Sequence, residues 1–144
     1  MKTAALLSTL LAAAAAQAQS PTPAPTPSPA GCVQVEVHNV RPQQGQLMVA
    51  AYLDAESFGK RPAAQTRVAA GDAVTRFQLC GLQGSTVALT MYQDLDSDGK
   101  MNKNLLGLPT EPWGSSGTPG SFGPSWETGR VALDGKPIVV NLSP

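Results

Sequence analysis

The sequence predicts an all-β protein, a seven-stranded antiparallel β-sandwich, and three observations predict it. From Cys32 onward apolar and polar residues alternate in short runs, the period of a strand with one face in water. Gly, Pro and Gly-Asp or Asp-Gly pairs separate the runs. Beyond residue 31 no window repeats apolar residues at helical spacing, apart from one turn's worth around DAESFG, residues 54–59. Strands with one apolar face and no helix to cover it bury that face by stacking two sheets.

The first strand starts CVQVEVHNV, where Val33, Val35 and Val37 point inward and Gln34, Glu36 and His38 outward. RPQQG sets off the second, QLMVAAYL, residues 46–53. TRVAA, 66–70, is a weak third, and Gly71-Asp72 predicts a hairpin into AVTRFQLC, 73–80. There Phe77 and Leu79 share one face and Arg76 and Gln78 the other. TVALTMYQ, 86–93, buries Val87, Leu89 and Met91 by the same rule. GRVALD and PIVVNL end the chain, and Asp134-Gly135 between them predicts a second hairpin.

The N-terminus is of a different kind. Lys2 and the apolar run 4–16 match a signal peptide, too short to span a bilayer, and Ala16-Gln17-Ala18 supplies a small-x-small cleavage site. Residues 1–18 are therefore expected to be removed, placing the mature protein in the periplasm or outside the cell. No cysteine follows the run closely, so no lipid anchor is expected, and no later stretch is long and apolar enough to be a transmembrane segment. Residues 19–31 form a linker whose core, SPTPAPTPSPA, has proline at nearly every second position. Such a stretch lacks donors and extends as polyproline II, a spacer of roughly 30 Å. Residues 32–144 remain as the β-sandwich domain.

Loss of Lys2 leaves nine basic against ten acidic side chains, about −1, with no basic run or basic–aromatic interleaving, so nucleic acid is not an expected partner. The two cysteines, Cys32 and Cys80, lie at outward parity at strand ends. An even count in an exported chain predicts a disulfide if these strands meet near one end.

The candidate site is DLDSDGKMNKN, residues 94–104. Asp94, Asp96 and Asp98 have the spacing of the first three ligands of a calcium loop, with Gly99 at the sharp turn. The Lys100 carbonyl would come next, and Asn102 and Asn104 could add amide oxygens. Leu105 stands where a bidentate glutamate belongs, and Lys100 and Lys103 cancel two negative charges. Glu111 and Glu127 are the carboxylates available to fold back instead. The expectation is a weak calcium site; the plain alternative is a polar turn whose Asp and Asn side chains bond their own backbone. Residues 105–128 show no strand pattern yet carry Trp113, Phe122 and Trp126. These aromatics either plug the open end of the sandwich or present a stacking platform for a sugar or peptide. His38, the sole histidine, reads as a surface residue.

Residues 77–127 carry a specific motif set. Leu82-Gln83-Gly84-Ser85-Thr86 leads into a strand, followed by the Asp/Asn-rich loop, Leu106-Gly107-Leu108-Pro109, Trp113-Gly114 and Phe122-Gly123-Pro124. Together these resemble an exported bacterial family catalogued as domain of unknown function 2141. The resemblance covers nearly all of 33–142 and implies a small sandwich of immunoglobulin or transthyretin type. The chain departs from the family at Gln93, where a histidine is usual, and at residues 115–119, often Asn-rich in relatives.

The functional expectation is a non-enzymatic exported binding module that uses the 94–127 region. A cell-envelope protein or a saccharide is the expected kind of partner. The alternatives are a purely structural or accessory domain without metal and, third, a hydrolase. Nucleophilic catalysis has little to rest on, since no serine has a nucleophile elbow or a partnered histidine.

Overall fold

Alternation along the first strand decides which way the chain turns its faces. In the computed structural model, which describes residues 30–120 and 123–143, β1 (Cys32–His38) buries Val33, Val35 and Val37 and leaves Gln34, Glu36 and His38 half-exposed. The expected signal peptide, most of the proline-rich linker and Phe122 lie outside the described residues. The remaining strands are β2 (Gln46–Tyr52), β3 (Ala64–Ala69), β4 (Val74–Cys80), β5 (Thr86–Asp94), β6 (Trp113–Ser115), β7 (Arg130–Ala132) and β8 (Ile138–Asn141). The one helical element among the described residues is a single turn, α1 (Trp126–Gly129), begun by Ser125, whose hydroxyl accepts from Thr128 N–H.

The protein is all-β and forms two sheets. One has the order β4-β1-β8; the other runs β3-β2-β5-β6, with β7 beside β6 on the same edge of β5. Their inner faces share one apolar cluster. Val33, Val35, Val37, Leu79, Ile138 and Val140 come from the first sheet. Leu47, Val49, Ala51, Val87, Leu89 and Met91 come from the second. Each fully buried Val or Leu contributes about 1.5–3 kcal/mol relative to exposure, so this layer dominates the fold's stability.

Three expectations need correction. The described strands number eight, not seven, because Trp113–Ser115 forms a strand inside the stretch read as a loop. Three residues are too few to display a period. The strand is held by neighbours instead: Trp113 pairs with Tyr92 on β5 and exchanges both backbone bonds with Ser143 beyond β8. The pairing is not wholly antiparallel either, since β8 lies parallel to β1, with Val35 opposite Ile138. Finally, neither expected hairpin exists. Gly71-Asp72 and Asp134-Gly135 carry the chain from one sheet to the other, β3 to β4 and β7 to β8. A tight turn reverses direction; it does not choose the neighbour.

The disulfide expectation holds. Cys32 lies directly across from Cys80 in the β1–β4 register, with Cα atoms 3.9 Å apart, and the two sulfurs are bonded.

Candidate functional site

The site is built where β5 ends. Asp94 closes that strand, paired with Gln46 at the start of β2. The two strands meet closely here because Gly45 has φ +60° and no side chain; a Cβ there would lie 1.8 Å from the Asp94 carbonyl oxygen. Left-handed backbone at Ser97 (φ 61°) and Gly99 (φ 78°) then curls the chain back over Asp94.

The curl buries the Asp94 side chain completely. Its Oδ2 accepts from Gly99 N–H at 2.9 Å and Gln46 Nε2 at 3.3 Å, and its Oδ1 accepts from Asp98 N–H at 3.2 Å. Burial pushes this carboxyl's pKa up. The hydrogen bonds from Gly99, Gln46, Ser97 and Asp98 outweigh burial and hold it below the ordinary 3.8.

Glu111 supplies the second buried carboxylate, 3 % exposed. It reaches back across the loop, and the two N–H groups it meets are Leu95 on Oε1 at 2.8 Å and Asn102 on Oε2 at 2.9 Å. One oxygen each from Asp94, Asp96 and Glu111 lies within 4.8 Å of the others. Among the described residues, no lysine, arginine or histidine nitrogen pairs with any of the three.

Asp98 lies outside this group. It is exposed, and its Oδ1 accepts from Lys100 N–H at 2.7 Å. Asn102 contributes through its Nδ2, which donates to Asp96 Oδ2 at 2.7 Å. Asn104 turns the other way and caps a tight turn, its Oδ1 accepting from Leu106 and Leu108 N–H. Of the two glutamates available to fold back, Glu111 joins the cluster, while Glu127 pairs with Arg130 at 3.4 Å. The signal for Glu111 was only its position beyond the loop; the fold brings it back because Pro112 O accepts from Gln93 N–H and anchors the returning chain beside β5.

Gln93 precedes Asp94 and faces the opposite way. It is fully buried, and its Nε2 donates to the carbonyls of Arg41 and Gln44, both at 2.7 Å, while Oε1 accepts from Arg41 N–H at 2.9 Å. The residue at this position thus fastens the 41–44 turn and takes no part in the acidic cluster.

Trp113 and Trp126 are both half-buried, and neither belongs to the shared apolar core. Tyr92, across from Trp113, donates its hydroxyl to Gly99 O at 3.0 Å. Burial, then the negative charges of Asp94, Glu111 and Asp98, raise the Tyr92 pKa above 10, which keeps this donor protonated. Tyr92 and Gly99 also border a groove of about 630 Å³ that Met48, Ala50, Tyr52 and Arg67 line further along. That volume is in the range of small-molecule sites. His38 lies on the other sheet and bonds Glu36 Oε1 at 2.6 Å.

A two-sheet β domain with an acidic, hydrogen-bonded loop at one sheet end is the class these features define. The family model described as an uncharacterized protein conserved in bacteria (DUF2141) matches residues 35–141. The chain belongs to that family. Neither a curated protein nor a solved structure matches it.

Proposed function

We propose that the protein is an exported, non-enzymatic binding domain, a sandwich of immunoglobulin or transthyretin type, whose 94–127 region is ordered by a weak calcium site. Asp94, Asp96 and Glu111 are the ligands. One observation carries this reading: two buried carboxylates and a third beside them converge with no basic side chain to balance them among the described residues. Like charges in a poorly solvated site repel, and a hard divalent cation among carboxylate oxygens removes the repulsion. Backbone carbonyls and water would complete the shell. The bound ion would stiffen the loop whose Gly99 borders the groove, and a saccharide or cell-envelope protein is the partner class we assign to that region.

Calorimetric titration of the mature domain tests the ion. The expected Kd is roughly 10⁻⁴–10⁻³ M, in the range of extracellular calcium modules. Calcium at ten times Kd should then stabilise the fold by about 1.4 kcal/mol, seen as a higher Tm. Glu111→Gln should abolish both signals. A specific observation favours a second reading, a purely structural domain without metal. Every oxygen of Asp94 and Glu111 already accepts an N–H, so the loop can be held by its own backbone. Absence of heat and of any Tm change at several millimolar calcium would select that reading.

A further inference from the structure

Between Asn102 and Glu111 the chain leaves the acidic cluster and returns to it. Thr110 N–H donates to Asn102 O and Asn104 N–H to Leu108 O, both at 2.9 Å, and Lys103 pairs with Pro109 as an antiparallel bridge. The result is a narrow hairpin with Leu105, Leu106 and Gly107 at its tip. Turn tips in water are ordinarily Gly, Pro, Asn, Asp or Ser. Here Leu105 is fully exposed, Leu106 is 84 % exposed and Leu108 58 %. Three neighbouring leucines on one projection make a contiguous apolar patch, unlike the scattered apolar residues of an ordinary surface.

Part of the tip's backbone is satisfied without water. Gly107 N–H donates to Asn104 O, and Asn104 Oδ1 accepts from Leu106 and Leu108 N–H at 2.9 and 3.0 Å. Three of the turn's backbone donors are therefore satisfied within the turn. That matters most in hydrocarbon, where an unpaired N–H has no solvent to bond. Lys103 stands two residues behind Leu105, exposed, and among the described residues no carboxylate pairs with it. The carboxylates at the hairpin's foot begin beyond Asn102, about 10 Å behind Leu105 at about 3.3 Å per residue. That exceeds the Debye length of about 8 Å at physiological salt, so their charge is partly screened at the tip, while Lys103 lies closer to it.

We propose that this leucine-tipped hairpin inserts into a lipid bilayer surface, with Lys103 at the level of anionic headgroups. The convex, narrow shape suits penetration between lipids, and the free lysine complements phosphate. The inference rests on reading the 94–127 region as a binding surface and adds a lipid surface, met by the hairpin tip, to the partner class assigned to the groove. It does not require a cation in the acidic loop.

Co-sedimentation of the mature protein with vesicles of phosphatidylethanolamine and phosphatidylglycerol tests it, in calcium and in EDTA. Wild type should sediment with vesicles in at least one buffer. Leu105→Ser/Leu106→Ser should weaken binding more than about tenfold. Lys103→Gln should weaken it by about fivefold at low salt and less at high salt. The two leucines bury nothing in the core, so the serine variant should melt with wild type. Leu106→Trp gives a second readout, added fluorescence that shifts blue on vesicles. Failure of wild type to sediment in both buffers, undiminished binding by the serine variant, or an unshifted emission from the Leu106→Trp variant overturns the proposal. So does a concentration-dependent dimer that the serine variant abolishes, which would assign the tip to a second copy. Calcium uptake is read separately by calorimetry, so vesicle failure with calcium uptake intact counts against the hairpin alone.

Discussion

Gln93 illustrates how much one buried amide can carry. Its three hydrogen bonds reach the backbone of Arg41 and Gln44, some fifty positions earlier, and hold the turn that delivers Gly45 against Asp94. Gln93→Ala removes those bonds, opens a void where the buried side chain lay, and leaves two carbonyls and an N–H of the 41–44 turn without their partner. The expected loss is about 2–4 kcal/mol in urea unfolding. Sequence alternation already separates Gln93 from Asp94 onto opposite faces. What alternation cannot tell is that an inward polar residue at this strand end finds carbonyls to bond, because those carbonyls belong to a distant turn.

At the scale of elements, the cross-strand pair of β1 and β4 supplies a titratable contact. Glu36 lies opposite Arg76 and bonds its Nε at 2.7 Å, while its other oxygen meets His38. The Arg76 hydrogen bond first, and the His38 bond second, hold the Glu36 carboxyl below the ordinary 4.5. A carboxyl depressed on folding stabilises above its unfolded pKa and loses that contribution as pH falls through the folded value. The Tm advantage of wild type over Glu36→Gln should therefore be full at neutral pH and shrink below about pH 4.5, as scanning calorimetry across that range would record. The register behind this pair follows from β1 and β4 each having one apolar face, since a one-residue slip would turn Val33, Val35 and Val37 into water. The partner assignments of β3, β7 and β8 had no such signal, because a turn dipeptide looks the same whether the chain stays in its sheet or crosses.

For the whole molecule, the Cys32–Cys80 bond ties the first described strand to the fourth across a sequence separation of 48. A loop of this length gives roughly 4 kcal/mol in the chain-entropy view. Cys32→Ser/Cys80→Ser should lower unfolding stability by up to that amount, measured by urea denaturation, while the β domain keeps its far-ultraviolet spectrum. The variant retains the apolar layer shared by the two sheets. Among the described residues no helix is long and apolar enough to cross a membrane.

Pattern along the chain was enough for the all-β class, seven of the eight strands, the buried faces of β1, β4 and β5, the cysteine pair and the acidic loop as the place to look. All of these are local periodicities or spacings, and local physics reads them. Which strands are neighbours, that Trp113–Ser115 is a strand, and that Glu111 rather than Asp98 joins Asp94 and Asp96 came from the folded chain alone. Those outcomes depend on contacts between distant segments, and the packing of the whole chain chooses among contacts that are locally equivalent.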